Sequence, residues 1–439
     1  MKTINIGILG FGVVGTGVAS LLIRKTQLLE TRIGACLNLK SIADIDTTTD
    51  RGIDLGDVAL VSDAMEVVND PEIDIVVELI GGQTIAREVI VKALASGKHV
   101  VTANKALLAD QGNDLVELAQ ANSVDLAFEA SCGGCMPIIK SLRESLVANE
   151  IRSMYGILNG TCNYILTKIS RDGSEFDVAL KDAQDLGFAE AEPSLDIDGF
   201  DTAHKLSILN ALAHGMEINL DDVHVEGIRN ITPVDIEFAR SFGYCIKLLA
   251  IGKIHGDHVE ARVHPTMIPE TNPLSHVEHS MNAIVIDADA TEKTMLYGHG
   301  AGMLPTASAV LSDIADIARN MVAGINGRIP MLGCPSDKTR KLPILPMSEL
   351  VTRYYLRFEA QDHPGVLSKI SGILGDNGIS IQSVEQKGRK TNGKVPVVMI
   401  THTAKEEWVQ KALGQIKTTD SVVGDPVVIR IEDEDPEAA

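Results

Sequence analysis

Aromatic side chains are scarce, at 3% of 439 residues with a single tryptophan, Trp408. Proteins that stack nucleobases or sugars on aromatic platforms need more, so that class is excluded. Basic residues are outnumbered, 39 Lys and Arg against 60 Asp and Glu, for a formal net charge of −21. Such a chain repels phosphate backbones and anionic lipid, and neither nucleic acid nor a membrane is an expected partner. Six cysteines spread along the chain lack the density of a disulfide scaffold. No apolar run reaches the roughly 18 residues of a membrane span. The chain opens on a strand-like segment, Met1 to Gly7, and no secretory leader is expected. A cytoplasmic protein is the expectation.

What remains is the composition of a chain that buries a core, 45% hydrophobic and 23% charged, with length for about three domains. Apolar runs, most of them rich in Val and Ile, at Thr3–Leu9, Leu37–Ala43, Ile73–Leu79, His99–Thr102 and Val124–Phe128 predict parallel strands buried on both faces. Helical stretches Gly15–Leu29, Thr84–Ser96 and Lys105–Ala121 lie between them. This alternation predicts an α/β fold, a Rossmann-like doubly wound parallel sheet, over residues 1–130. From Met136 the rhythm changes to a helix, Pro137–Ala148, and a strand, Ile151–Leu158, then helical segments through Ala213. Strands of a different sheet follow at Val259–Ile268, Ala283–Asp289 and Lys293–Gly298, and then a long helix, Ala307–Val322. The prolines at 330, 335, 343 and 346 suggest a linker. Residues 352–431 then run as strand, helix, strand, hairpin turn at Thr391-Asn392-Gly393, strand, helix, strand, a ferredoxin-like βαββαβ order set apart as a separate unit. The acidic tail, 432–439, is expected to fray.

Gly10-Phe11-Gly12-Val13-Val14-Gly15 follows a strand and opens a helix. Glycines there permit a tight turn and close approach of backbone to a pyrophosphate, and the helix N-terminus supplies free N–H groups. Asp44 and Asp46 follow the second strand. An acid at that place suits a free ribose 2′-hydroxyl and so NAD, whereas Arg51 could accept a 2′-phosphate; a solvated acidic loop explains the acids equally well.

Three further segments carry the chemistry. Lys105 lies at the carboxyl end of a predicted parallel strand, where open α/β sheets bind ligands. It also occupies the first turn of a helix, a poor electrostatic place for a cation without a task. In Asn159-Gly160-Thr161, either Asn159 or Thr161 could simply cap the following helix. From Glu190 to Asp201, five carboxylates fall in twelve residues, and Asp201 and Lys205 form an i,i+4 pair. Such pairs are usually superficial, but this one leads a nearly all-apolar helix, Leu206 to Ala213, which points to a site. Carboxylates suit a substrate ammonium, and a lysine suits polarising a carbonyl and protonating the alkoxide made by hydride delivery.

With these motifs, above all Gly187 to Lys205, residues 1–325 resemble homoserine dehydrogenase. The distal unit, with Asp362-His363-Pro364-Gly365 and Asn377-Gly378-Ile379, resembles an ACT regulatory domain. The resemblance implies the monofunctional bacterial type, with a coenzyme domain at 1–130 plus about 303–325, a catalytic and dimerisation domain at 131–302, a linker at 326–351 and an ACT domain at 352–431. It implies NAD(P)H-dependent reduction of L-aspartate 4-semialdehyde to L-homoserine, in threonine, methionine and isoleucine biosynthesis. Lys205 would be the proton donor, and Lys105 would contact coenzyme and substrate. Glu190 and Asp201 would bind substrate, Glu190 near its amino group. Gly10 to Gly15 would lie along the pyrophosphate, Gly187 beside the nicotinamide end, and Gly302 in a second glycine-rich contact. The implied monovalent cation, sodium, would take Glu129 and the carbonyls of Cys132, Gly134 and Met136, oxygen ligands that suit a hard ion. Cys132 and Cys135 form a CxxC without the further ligands of structural zinc, and a redox role stays open. In the ACT unit, Asp362, Gly365, Asn377 and Ile379 are the candidates for holding L-threonine as a feedback inhibitor, against plain turn and cap chemistry or a module kept for assembly. A homodimer or homotetramer is implied. The competing readings are another semialdehyde dehydrogenase on the same fold, and a sensor of NAD and an amino acid that does not turn over.

Overall fold

In this computed structural model the structure describes residues 1–386 and 394–433. The strands Lys2–Leu9 (β1), Ala35–Ala43 (β2), Ala59–Val61 (β3), Ile75–Glu78 (β4), His99–Thr102 (β5) and Leu126–Ala127 (β6) make an all-parallel sheet in the order β3-β2-β1-β4-β5-β6. β4 and β5 are buried throughout, because helices cover both faces. The helix Met303–Ala323 returns to this module and packs Ala307, Val310, Ile314 and Ala318 into one core with Ile4, Ile6, Ile8 and Val18. The strand order reverses next to β1, which places the crevice at the carboxyl ends of β1, β4 and β5.

The local departures have local causes. The stretch read as one helix, Gly15–Leu29, is two, Val13–Arg24 and Thr26–Ile33. The Thr26 hydroxyl donates back to the carbonyls of Leu22 and Ile23, the kind of bond that bends helices. β3 and the short helix Ala64–Asn69 carried too few residues to be legible. In place of the helix Pro137–Ala148 there is one turn, Ile138–Lys140, that widens into a π turn, Ser141–Ser145.

The second sheet has eleven strands among the described residues. Ile151–Ile157 (β7), His224–Val225 (β8), Tyr244–His255 (β9), His258–Pro269 (β10), Met281–Ala288 (β11) and Glu292–His299 (β12) come from the middle of the chain. Val351–Gln361 (β13), Ile381–Glu385 (β14), Lys394–Thr401 (β15), Ala404–Lys405 (β16) and Val427–Ile431 (β17) come from the distal module. With the helices Val366–Asp376 and Glu406–Lys417, the order β17-β13-β15-β14 is the ferredoxin-like arrangement. The expected hairpin turn at Thr391–Gly393 lies outside the described residues, as do residues 434–439 of the tail.

The distal module is not a separate unit. β17 pairs in parallel with β10, Thr266 beside Arg430 and Met267 beside Ile431, so one sheet runs through both modules. Buried charge reinforces the join. Arg430 holds Glu406 at 2.6 Å and also pairs with Glu226. Arg357 reaches Asp235 at 2.7 Å, on the helix Pro233–Ser241. Glu432, expected to fray, is held by Arg262 and Lys253, and Asp433 pairs with Arg353. The proline-dense segment does connect the modules, but it is not a free spacer. Met331, Leu332, Leu342, Ile344 and Leu350 are buried, and Ile344 bridges to Val259. Among the described residues no helix is long and apolar enough to cross a membrane.

Candidate active site

The glycine-rich turn leaves β1 at Gly10, whose φ is +98°. A Cβ there would lie 2.6 Å from the Leu79 carbonyl oxygen, and one on Gly15 would lie 2.0 Å from that of Gly10, so only glycine fits either place. Gly12 is exposed and caps the helix that begins at Val13. The Asp44 carboxylate at the end of β2 accepts the Phe11 N–H, tying this turn to the second strand. Arg51 lies 3.9 Å from Asp44, 3.4 Å from Asp46 and over the Phe11 ring, with its buried Nε unpaired.

Lys105 begins the helix Lys105–Ala121, which Asn104 caps by accepting the Leu107 N–H at 3.1 Å. Asn104 also donates to the Gly82 carbonyl at 2.6 Å, and its own N–H is held by Thr102. The Thr102 hydroxyl donates in turn to Glu78 at 2.6 Å, and Glu78 accepts the N–H groups of Ile80 and Gly81. This buried relay fixes both crevice loops, and nothing local in the sequence marked Glu78 as its anchor.

Across the crevice runs the helix Phe200–His214, buried nearly all round. Asp201 and Lys205 lie on its first two turns, with Nζ to Oδ2 at 2.7 Å. Lys105 approaches the other oxygen, Oδ1, at 3.1 Å, so one carboxylate bridges a lysine from each module. Asn159 does more than cap. Its oxygen accepts the Cys162 N–H at 2.8 Å, and its nitrogen donates to Asp201 at 2.8 Å and to Asp196 at 2.7 Å. Thr161 does not cap; its hydroxyl donates to the Phe188 carbonyl at 2.6 Å. Burial pushes the Asp201 carboxyl up, but the two ammonium groups outweigh it and hold it well below the usual carboxylate range. The Lys105 ammonium is correspondingly held charged by Asp201. Burial and the neighbouring Asp201 raise Asp196. Lys205 Nζ gives a second N–H to the Leu158 carbonyl at 2.6 Å. An ammonium has three, so one remains for a ligand oxygen.

The other expected residues are spread around this centre. Glu190 is exposed, on the loop where its carbonyl accepts from Gln184. Gly187 is an exposed turn residue of the same loop, and Gly302 precedes the helix Met303–Ala323. Glu129 is buried, with one oxygen accepting the Ile139 N–H and the other the Lys140 N–H, both at 2.9 Å. Burial and Asp313 push its carboxyl up to about 7. Cys132 is buried, its thiol pushed up to about 12 by burial, whereas Cys135 is exposed and both are free. Among the described residues, no cluster of three His, Cys, Asp or Glu side chains could hold a metal ion. In the distal module Asp362 and Gly365 are exposed and Ile379 is buried. Asn377 spends its side-chain N–H groups on Ile373 and Gln415.

Residues 137–315 match the family model for homoserine dehydrogenase, 10–129 that for the homoserine dehydrogenase NAD-binding domain and 354–419 that for the ACT domain. The homoserine dehydrogenase of Neisseria gonorrhoeae is 43% identical over 98% of this chain and 99% of its own. The chain belongs to the homoserine dehydrogenase family. A crystal structure of a homoserine dehydrogenase from Thiobacillus denitrificans superposes with a TM-score of 0.93 at 44% identity, covering 99% of each chain. A hyperthermophilic archaeal homoserine dehydrogenase, solved in complex with NADPH, matches 74% of this chain over 100% of its own, at 30% identity and a TM-score of 0.63. The protein is therefore an oxidoreductase of homoserine dehydrogenase type, with an NAD-binding parallel sheet, a catalytic domain and a C-terminal ACT domain.

Proposed function

We propose that the protein interconverts L-aspartate 4-semialdehyde and L-homoserine, with Lys205 as the proton donor and acceptor at the substrate oxygen. The buried Lys205 ammonium, with one N–H unspent, carries this reading. A nicotinamide coenzyme supplies or accepts the hydride. In the reducing direction Lys205 polarises the aldehyde oxygen and gives it a proton as negative charge develops there. Asp201 holds both lysines at the crevice and keeps Lys105 charged. Its two oxygens are engaged by Lys105, Lys205 and Asn159, so it acts on substrate mainly through them. Lys105 reaches coenzyme and substrate from the opposite wall. Glu190, exposed beside the crevice, takes the substrate ammonium. Glu190→Gln is expected to raise the KM for homoserine roughly tenfold, the worth of one charge-assisted hydrogen bond, with little change in kcat. Unchanged kinetics would remove Glu190 from the site.

NAD is the proposed better coenzyme, because the Asp44 carboxylate at the end of β2 would repel a 2′-phosphate; Gly10 to Gly15, Gly187 and Gly302 line its path. Arg51 beside Asp44 weighs the other way, as does the NADPH bound by the archaeal relative. For sodium, no N–H among the described residues donates to the carbonyls of Cys132 or Gly134. With Glu129 and the main-chain oxygen of Met136 these make an oxygen set that fits a hard monovalent cation. The distal module is proposed to take L-threonine at Asp362, Gly365, Asn377 and Ile379 as a feedback inhibitor. The enzyme is further proposed to act in the cytoplasm as a homodimer or homotetramer, with domain bounds at 1–130 plus about 303–325, 131–302 and 352–431.

The test is nicotinamide absorbance with L-homoserine, using NAD and NADP separately, in sodium or choline chloride, with and without L-threonine. Faster reduction of NAD, activation by sodium and inhibition by threonine are expected. Reduction of neither coenzyme by folded protein would overturn the catalytic reading, and each of the other comparisons overturns its own part alone.

A further inference from the structure

The carboxamide of Asn282, on β11, is 1% exposed, and neither its oxygen nor its nitrogen has a hydrogen-bond partner. Burying an amide unpaired opposes folding, and a fold that keeps one calls for an explanation. Elements of the site converge on this amide. A Cβ on Gly160, next to the Asn159 that holds Asp196 and Asp201, would lie 3.6 Å from Asn282 Oδ1. Gly300 lies so close that a Cβ there would overlap the amide, 2.0 Å from Nδ2. Gly300 in turn touches the proposed cation segment, since a Cβ on Gly134 would lie 2.5 Å from its carbonyl carbon. Two residues on, Gly302 starts the helix Met303–Ala323, and Met303 presses on Gly17 of the helix behind the glycine-rich turn. Asn282 therefore sits where the substrate turn, the cation segment and the coenzyme module meet.

We propose that Asn282 is a positioning residue for hydride transfer. When coenzyme and substrate are both bound, its amide hydrogen-bonds the backbone of the His299–Gly302 turn and fixes the nicotinamide end against the substrate. This rests on the reading of that turn as a coenzyme contact. An amide without a partner elsewhere in the protein, paired once both ligands are in place, makes the ternary complex more favourable than either binary one. A small displacement at the reacting centre is enough to slow transfer strongly.

The test compares wild type with Asn282→Leu, which keeps the number and branching of the side-chain heavy atoms and removes both hydrogen-bonding groups, and with the smaller Asn282→Ala. Stopped-flow single turnover with L-homoserine reads the hydride step directly, and its rate constant, unlike its amplitude, does not depend on the folded fraction. A fall of roughly ten- to a hundredfold is expected, with the affinity for coenzyme alone nearly unchanged and the urea midpoint of the leucine variant equal or higher. A wild-type rate constant in either folded variant overturns the proposal. Failure of both variants to fold also overturns it, because the amide would then be needed for structure. If wild type itself does not turn over, it is the catalytic reading that fails.

Discussion

Replacing Lys205 with methionine is expected to lower turnover by roughly a hundred- to ten-thousandfold, the range for loss of a positioned general acid, while affinity for the coenzyme alone stays close to wild type. Methionine keeps the aliphatic stem inside the buried helix Phe200–His214, so the helix keeps its packing. What is lost is an ammonium held by Asp201 at 2.7 Å and by the Leu158 carbonyl at 2.6 Å, with one N–H unspent. Lys105 cannot replace it. It comes from the other wall, is about one-third exposed and engages the opposite oxygen of Asp201 at 3.1 Å. Lys205→Arg sharpens the test, since a guanidinium keeps the charge but does not release a proton near neutral pH. It is expected to stay as inactive as the methionine variant. Steady-state rates for both, beside coenzyme titrations by nicotinamide fluorescence, decide the matter. Near-normal turnover in either would take Lys205 out of the proton path.

That this centre could be read from the chain at all follows from its spacing. Asp201 and Lys205 are one helical turn apart, and a charged pair at the head of an apolar helix stands out without knowledge of the fold. The turn from Gly10 to Gly15 is legible for a similar reason, as Gly15 answers to a close contact with Gly10 in the same turn and Gly10 to one with Leu79 just past the adjoining strand. The groups that surround this centre are not local. Glu78 reaches Lys105 through Thr102 and Asn104, and Asn282 meets Gly300 and Gly160 only when three loops converge. Neither carries a pattern with a period, and each would pass for an ordinary polar residue in a strand. The joining of the two modules is hidden in the same way. Prolines at 330, 335, 343 and 346 read as a spacer because proline disrupts helices and sheets, yet the apolar residues among them, Leu342 and Ile344, are buried. The pairing of β17 with β10 joins residues more than 160 positions apart in the chain, and no property of either segment alone announces it.

That joined sheet has an energetic consequence. Asp235→Ala is expected to destabilise the distal module by about 3–5 kcal/mol, the usual result of stranding one member of a buried ion pair. Asp235 is fully buried and accepts from Arg357 at 2.7 and 3.1 Å and from the Tyr355 hydroxyl at 2.9 Å. It also closes the capping box with Thr232 at the start of the helix Pro233–Ser241. The arginine and the tyrosine belong to β13, the cap to the catalytic domain, so one carboxylate serves both sides of the junction. The single tryptophan makes this measurable, because Trp408 lies on the helix Glu406–Lys417 of the distal module. In wild type its fluorescence is expected to change over the same urea range in which dehydrogenase activity is lost, as one cooperative sheet requires. In Asp235→Ala the Trp408 transition moves to lower urea and separates from the loss of activity. The double variant Asp235→Ser with Arg357→Met, which removes both charges and keeps a hydroxyl for the cap, is expected to recover most of the loss, as buried pairs replaced by apolar contacts generally do. A Trp408 midpoint unchanged by Asp235→Ala would mean that the buried pair does not hold the modules together. Two separate transitions in wild type would mean that the β10–β17 pairing does not make them one folding unit.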